Sequence, residues 1–281
     1  MAKAVPTVTL PSGEKVVAFG QGTWHMGESR ARAKDEVAAL RAGLDLGMTL
    51  IDTAEMYASG GAEEIVAEAV AGRRDEVYIV SKVLPENATR RGTITACDNS
   101  LKRLKTDRID LYLLHWRGSP PLKGTVEAFG ELMSAGKIRA WGVSNFDTDD
   151  MQELFGLPGG KACATNQVLY NLSRRGIEHD LLPWCAKQRV SIMAYSPVEQ
   201  GRILRNRALL DVAKRHNATA AQVALAWTLR HDHVISIPKA GTIAHLKENF
   251  GALDVTLTKE DYATLDQAFP PPKGPRGLEM L

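Results

Sequence analysis

Four residues whose side chains can together perform acid–base chemistry follow successive β-rich runs of the sequence. Asp52 ends the second run and Tyr57 comes shortly after it, Lys82 ends the third, and His115 follows the fourth. Each has a common structural explanation when taken alone, because Asp–Lys pairs, tyrosines and histidines often serve only packing or hydrogen bonding. Their convergence on neighbouring strand ends favours a catalytic interpretation.

The chemistry that this set supports is proton donation by a tyrosine. A tyrosine has an ordinary pKa of about 10, which is too high for easy proton exchange at neutral pH. The Lys82 ammonium is expected to lower the pKa of Tyr57, while Asp52 keeps the lysine charged and in place. His115 can hydrogen-bond a carbonyl oxygen and position it. The sequence has no metal-ligand spacing of histidines or carboxylates, so we expect no metal. Carbonyl chemistry without a metal needs a partner that supplies electrons, which suggests a nicotinamide.

Strands and helices alternate along the chain in a way that brings these residues to one edge of a sheet. Strands are predicted at residues 19–22, 49–52, 77–82, 111–114, 140–144, 164–168, 191–195 and 234–238. Helices are predicted at residues 33–46, 63–71, 93–104, 125–135, 148–155, 177–188, 208–215, 219–231 and 243–250, with Thr93 and Thr148 as expected caps. Eight such units favour a closed (β/α)8 TIM barrel over the alternative, an open doubly wound sheet.

Two segments lie outside the repeat. Residues 5–17 predict a β-hairpin that could plug the bottom of the barrel. Residues 269–281 contain three consecutive prolines and two glycines, so we expect a non-helical surface tail. No linker or low-complexity run divides the sequence, and we expect residues 1–281 to form a single α/β domain.

Composition narrows the class of protein. The chain has 281 residues, of which 44% are hydrophobic and 24% charged, with a net charge of +2. So balanced a charge argues against nucleic acid or an anionic membrane as the main partner. Cys97, Cys163 and Cys185 are too few and too widely spaced for a disulfide framework, and no apolar run of signal-peptide or membrane-spanning length follows Met1. We therefore expect reduced thiols and a cytoplasmic location.

A series of motifs in order along nearly the whole chain resembles the aldo-keto reductase family. The motifs are G-Q-G-T-W at residues 20–24, D-T-A-E-M-Y at 52–57, S-K at 81–82, L-L-H-W at 113–116, G-K-I-R-A-W-G-V-S-N at 136–145, N-Q at 166–167, A-Y-S-P at 194–197, I-P-K at 237–239 and E-N at 248–249. The likeness is greatest to short bacterial members described as methylglyoxal or general aldehyde reductases. The series is more specific than any single motif in it.

The resemblance implies a role for each matching position. Tyr57 matches the general acid, Lys82 and Asp52 match its pKa-lowering pair, and His115 matches the residue that orients the carbonyl. The implied NADPH-binding residues are Gly22, Thr23, Asp52, Ser144, Asn145, Gln167, Tyr195, Ser196, Pro197, Ile237, Lys239, Thr242, His245, Glu248 and Asn249. The implied substrate pocket is formed by Trp24, Tyr57, His115 and Trp116.

The preference for NADPH depends on the end of the last strand. Lys239 and the start of the following helix can bind the adenosine 2′-phosphate, although Lys239 could also be an ordinary solvated lysine. Ala240 stands where the family often has serine, and His245 where it often has arginine. Histidine is only partly charged at neutral pH and lacks the bidentate fork, so we expect weaker discrimination against NADH than an arginine gives.

Short loops after the fourth and seventh strands indicate an open pocket for small or flat carbonyls. Methylglyoxal-like dicarbonyls and aromatic aldehydes are the expected substrates, and a monomer is the expected state. Two alternatives stay open. One is a binding module, like those family members that act as redox-sensing partners of membrane channels, and the other is a barrel hydrolase or isomerase.

Overall fold

A computed structural model describes residues 4–281 of the chain, and residues 1–3 lie outside the described residues. An antiparallel hairpin of β1 (Thr7–Thr9) and β2 (Lys15–Val17) comes first. Eight parallel strands follow: β3 (Gln21–Gly22), β4 (Leu50–Asp52), β5 (Tyr78–Val83), β6 (Ile109–Leu114), β7 (Ile138–Ser144), β8 (Thr165–Leu169), β9 (Ser191–Tyr195) and β10 (Val234–Ser236).

The eight strands close into a barrel. Each of β3 to β9 pairs in parallel with the next strand along the chain. The ring of strands closes between β10 and the residues that lead into β3. Gly20 N donates to Ser236 O at 2.9 Å, and Ser236 N donates to Ala18 O at 2.8 Å. Parallel bridges also join Phe19 to Ser236 and Gly22 to Lys239. The predicted (β/α)8 barrel is therefore confirmed, and the open sheet is excluded.

Within residues 4–281, ten α-helices surround the barrel or follow it. They are α1 (Ala33–Asp45), α2 (Gly61–Ala69), α3 (Arg90–Leu104), α4 (Leu122–Ser134), α5 (Thr148–Gly156), α6 (Leu181–Gln188), α7 (Arg207–Arg215), α8 (Ala220–Thr228), α9 (Ile243–Phe250) and α10 (Lys259–Ala268). Among the described residues, no helix combines the length and the apolar character that a membrane span requires.

Two expected helix caps were wrong, and one helix was not predicted. The side chain of Thr89, rather than Thr93, accepts the hydrogen bond from Gly92 N at 3.1 Å, so α3 begins earlier than expected. Asp147, rather than Thr148, caps α5, because its carboxylate accepts from Asp150 N. α10 was missed, although Thr258 caps it in a reciprocal pair with Asp261 that the sequence already contains.

The tail at residues 269–281 is non-helical as predicted, but it is not merely a surface tail. Arg175 donates to Phe269 O at 2.6 Å, and Arg174 forms an ion pair with Glu279 at 2.6 Å. These two arginines hold the tail against the barrel. Met280 and Leu281 consequently lie at the cleft described below.

Strand alternation divides the barrel interior into an apolar lower half and a polar upper edge. Along β5, Val80 and Lys82 face inward while Ser81 and Val83 face the helices, since successive side chains point to opposite faces. The hairpin covers the lower opening, where Val8, Leu10 and Val16 pack against inward residues such as Leu111. The predicted plug is therefore present.

We expect Leu10→Ala to lower the free energy of unfolding by about 2–5 kcal/mol, because it removes a buried side chain from the plug. Thr9→Ala, at the neighbouring exposed position of the hairpin, is the matched control and is expected to change it by less than about 0.5 kcal/mol. Equilibrium urea unfolding measures both. Equal effects of the two substitutions would contradict the packing of the hairpin against the barrel.

Candidate active site

The Lys82 ammonium lies at the centre of the upper edge and has three hydrogen-bond acceptors. It donates to the Asp52 carboxylate at 2.9 Å, to Thr53 O at 2.8 Å and to Tyr57 Oη at 3.1 Å. Lys82 is fully buried and Asp52 nearly so. All three N–H bonds of the ammonium are therefore used, which is what a charge in the interior requires.

Tyr57 reaches Lys82 from a tight turn that follows β4. The turn spans Tyr57–Gly60, and three successive residues in it, Ala58, Ser59 and Gly60, have φ values of 50°, 53° and 92°. Left-handed backbone is unfavourable for residues with a Cβ, so packing from elsewhere must hold this turn. From this turn the Tyr57 phenol reaches the Lys82 ammonium in the barrel interior.

Aromatic rings surround the Tyr57 phenol. The rings of Trp24 and Tyr57 meet edge to face with centroids 4.9 Å apart. The ring centroids of His115 and Tyr57 lie 5.7 Å apart. Trp116 packs against His115 at 4.9 Å. The predicted catalytic and pocket residues are thus brought together at one point.

The pKa of Tyr57 does not shift in the expected direction. Burial, together with the negative charge of Asp52, raises the pKa of Tyr57 well above its ordinary value. Lys82 was expected to lower the pKa of Tyr57. Two effects outweigh its ammonium: the desolvation of the phenolate and the negative charge of the Asp52 carboxylate. Tyr57 therefore keeps its proton throughout the neutral range, which suits a proton donor.

His115 is neutral for a related reason. Burial and then the charge of Lys82 lower the pKa of His115 to about 2. Its Nδ1 atom has no hydrogen-bond partner among the described residues. A neutral imidazole beside Tyr57 can hydrogen-bond a substrate oxygen without competing for the proton.

A cleft of about 540 Å³ opens above these residues. The predicted site residues that line it are Gly22, Trp24, Asp52, Tyr57, His115, Trp116, Ser144, Asn145, Gln167, Tyr195, Ser196, Pro197, Ile237 and Lys239. Sequence reasoning missed His25, Met56, Val198, Gln200, Pro238, Met280 and Leu281, which also line it. His25 follows Trp24 directly, and Gln200 lies within the short loop after β9. Their closeness in sequence to predicted site residues could have identified them.

The other predicted residues lie outside the cleft wall. Lys82 lies beneath it, and Thr23 is buried with its hydroxyl donating to Asp52 O at 2.9 Å. Thr242 caps α9 by accepting from His245 N, and both side chains are exposed. Glu248 and Asn249 lie further along α9 and are half-buried.

The wall opposite Tyr57 carries hydroxyl and amide groups from three neighbouring strands. Tyr195 Oη donates to Asn145 Oδ1 at 3.0 Å, and Asn145 Nδ2 donates to Ser144 Oγ at 3.2 Å. Gln167 Nε2 donates to Asp52 Oδ1 at 2.7 Å. This side of the cleft therefore combines an aromatic ring with groups that can hydrogen-bond a carboxamide.

The far end of the cleft is cationic. Within residues 4–281, Lys239 Nζ has no hydrogen bond or ion pair to the protein, and Lys239 lies just before the N-terminus of α9. An uncompensated ammonium beside the N-terminus of a helix attracts a phosphate. An aromatic and amide-rich wall at one end and a phosphate site at the other fit a nicotinamide dinucleotide phosphate.

The loop that carries Trp24 is fixed by two close contacts. Gly27 N donates to the buried Glu36 carboxylate at 2.9 Å. Gly27 has a φ of 78°, and a Cβ there would collide with the backbone of Gly61 at the start of α2. The loop and the Tyr57 turn therefore pack backbone to backbone, which keeps Trp24 beside Tyr57.

We expect Lys82→Met to lower the free energy of unfolding by about 3–5 kcal/mol, because it leaves the Asp52 carboxylate buried without its ammonium. The double variant Lys82→Met/Asp52→Asn removes that unpaired charge and is expected to recover at least about 1 kcal/mol. Equilibrium urea unfolding of both variants checks this. A double variant less stable than Lys82→Met would show that the pair is not electrostatically coupled.

Comparison with known proteins agrees with this geometry. The sequence model described as "Aldo/keto reductase family" matches residues 18–269. Methylglyoxal reductase YeaE of Escherichia coli K12 is 56% identical over 269 residues, covering 94% of this chain and 95% of that protein. Glyoxal reductase of Bacillus subtilis is 34% identical over 260 residues, covering 92% of this chain and 91% of that protein.

A solved structure is similarly close. An aldo/keto reductase from Klebsiella pneumoniae, crystallised with NADP and acetate, superposes with a TM-score of 0.96 at 51% identity. The match covers 99% of this chain and 100% of that one. A second structure from the same organism, in complex with NADPH, gives the same values.

Proposed function

This chain belongs to the aldo/keto reductase family, and we propose that it reduces small aldehydes and ketones to alcohols with NADPH, with Tyr57 as the proton donor. The observation that carries the proposal is the Lys82 ammonium, which contacts both Asp52 and Tyr57 Oη beneath the cleft. A buried ammonium that hydrogen-bonds a phenol stabilises developing phenolate charge, which proton donation to a carbonyl oxygen requires and which a barrel hydrolase or isomerase built on a carboxylate pair does not. Its acid–base carboxylate pair is also missing from the described cleft lining, where Asp52 is the one carboxylate side chain.

The protein's own residues divide the work of carbonyl reduction. Bound NADPH supplies the hydride that reduces the carbonyl carbon. Tyr57 holds the proton at Oη and releases it to the carbonyl oxygen as negative charge develops there. Lys82, 3.1 Å away, stabilises the phenolate that Tyr57 becomes, and Asp52 keeps the ammonium in place.

His115 and the tryptophans orient the substrate. A neutral His115 hydrogen-bonds the carbonyl oxygen beside Tyr57, since its low pKa keeps it uncharged. Trp24 is two-fifths exposed and forms the outer wall with Trp116. These flat walls select small or planar carbonyl compounds and limit the access of water to the reacting atoms.

The cofactor is held along the cleft by the residues already described. Ser144, Asn145 and Gln167 would hydrogen-bond the nicotinamide carboxamide, and Tyr195 would supply the aromatic surface beside the nicotinamide. Ser196, Pro197 and Ile237 border the middle of the cleft. Lys239 would bind the 2′-phosphate, together with Thr242 and His245 at the start of α9.

Methylglyoxal-like dicarbonyls are the leading substrate class, followed by aromatic aldehydes. The relatives named as methylglyoxal reductase and glyoxal reductase support the first. The aromatic walls support the second. We further propose a monomer in the cytoplasm: the three cysteines are buried and unpaired, and the large apolar side chains exposed away from the cleft lie on separate helices, as Met133 and Leu210 do.

Tyr57→Phe is expected to lower kcat for methylglyoxal by at least about a hundredfold while changing the NADPH Kd by less than about twofold, because it removes the proton but not the ring. Tyr262→Phe removes a phenol on α10, outside the cleft lining, and is the control. NADPH oxidation against methylglyoxal, glyceraldehyde, pyridoxal and a nitrobenzaldehyde measures turnover. A Tyr57→Phe enzyme with near-normal turnover would disprove the assigned proton donor.

Lys239→Met is expected to raise the KM for NADPH about tenfold and the KM for NADH less than about threefold, because only NADPH carries the 2′-phosphate. Lys247→Met, at an exposed position of α9, serves as the control. His245→Arg is expected to increase the preference for NADPH, since arginine adds a permanent charge and a bidentate fork. Equal effects of Lys239→Met on both cofactors would place the phosphate elsewhere.

A further inference from the structure

We propose that Glu63, paired with Arg103, is a positioning residue of the reaction, holding the Tyr57 turn and the Lys82 strand in their relative places from outside the barrel. This inference rests on the proposed function, because it concerns how the proton donor is held. Glu63 lies in the first turn of α2, six residues after Tyr57. It is outside the cleft lining and outside the set of residues predicted from the sequence.

The Glu63 carboxylate joins three elements of the helix layer and the barrel. Its side chain is fully buried. It accepts from Ser81 Oγ on β5 at 2.6 Å and from Arg103 Nε on α3 at 2.5 Å. Arg103 in turn donates to Ser100 Oγ at 3.2 Å. One carboxylate therefore links α2, β5 and α3.

The contact with β5 acts on Lys82 because Ser81 is its immediate neighbour. Ser81 points outward to Glu63, and Lys82 points inward to Tyr57 Oη. The two side chains leave opposite faces of one strand. A displacement of Ser81 is thus transmitted to the Nζ–Oη distance of 3.1 Å.

The contact with α3 acts on the Tyr57 turn. The turn ends at Gly60, whose φ is 92°, and the Arg103 stem lies against it so closely that a Cβ at Gly60 would collide with Arg103 Cδ. Ala58 and Ser59 are also left-handed, so the turn is unfavourable on its own. The Glu63–Arg103 ion pair fixes the stem that covers it.

Helix capping alone does not explain a buried Glu63. An acidic residue in the first turn of a helix is favourable when exposed, and the neighbouring Glu64 already occupies such a position. Burying a second carboxylate costs free energy that an exposed one does not. We therefore attribute the burial of Glu63 to its contacts with Ser81 and Arg103.

Glu63 also contributes charge. Burial lowers the pKa of Lys82, and the negative charges of Asp52 and, to a smaller extent, of Glu63 oppose that shift. The other groups that face Lys82 are Tyr57 and His115. Around Glu63 lie Ser81 and Arg103, with the neutral Cys97 and Tyr112 nearby. Loss of the Glu63 charge would leave Lys82 easier to deprotonate.

The test compares Glu63→Gln with Glu64→Gln, its exposed neighbour. For Glu63→Gln we expect kcat for methylglyoxal to fall at least about tenfold, with the NADPH Kd changed less than about twofold, since small misplacements of a reacting group slow chemistry strongly. The alkaline limb of the kcat–pH profile is expected to move to lower pH, because Lys82 loses a charge that stabilises its protonated form. Glu64→Gln is expected to match wild type in all three.

Several outcomes would overturn the inference. A folded Glu63→Gln enzyme with wild-type kcat, with an unmoved alkaline limb, or with kcat and NADPH binding lost in parallel would each do so. If Glu63→Gln does not fold, Ser81→Ala removes one hydrogen bond and keeps the charge. It is then expected to lower kcat about threefold or more with the alkaline limb unmoved, and an unchanged kcat would contradict the inference.

Failure of this inference is distinguishable from failure of the proposed function. If Tyr57→Phe abolishes turnover while Glu63→Gln behaves like Glu64→Gln, the function stands and the positioning role falls. If Tyr57→Phe retains turnover, the proposed proton donor is wrong whatever Glu63 does.

Discussion

The structure of this site depends on one constraint: the Lys82 ammonium lies in the protein interior, and a buried charge must be paired. Its three donors meet the Asp52 carboxylate, Thr53 O and Tyr57 Oη. An ammonium without these acceptors would lose its proton. The position of Tyr57 is therefore tied to the same hydrogen bonds that make the buried charge tolerable, and the proton donor is preorganised before any substrate binds.

The barrel makes this arrangement possible by separating two kinds of interior. Below, the hairpin and inward apolar residues such as Leu111 exclude water and lower the local dielectric. Above, the same strands end in polar side chains that face one cleft. Because inward positions recur every second residue, Val80 lies in the apolar layer and Lys82 in the polar one, so a shift of one residue in register would destroy the site.

The sequence predicts the fold and the centre of the site well, because both follow from local patterns. Eight strand–helix units predicted the barrel, and strand ends located Asp52, Lys82 and His115. Contacts between distant segments were not predictable in this way. The return of Met280 to the cleft depends on the Arg174–Glu279 ion pair, and the choice of Glu63 over Glu64 for burial depends on which side of α2 faces β5. The direction of the Tyr57 pKa shift depends on the degree of burial, which a sequence motif does not contain.

The central claim is that proton transfer from the protein accompanies hydride transfer to the carbonyl carbon. The most direct test is single-turnover mixing of the NADPH-loaded enzyme with methylglyoxal, following NADPH absorbance. It is run in H2O and in D2O, and with NADPH deuterated at the transferred position. The account predicts rapid loss of NADPH, slowed by both substitutions in the same kinetic phase. Persistence of NADPH, or a phase insensitive to the deuterated cofactor, would contradict it.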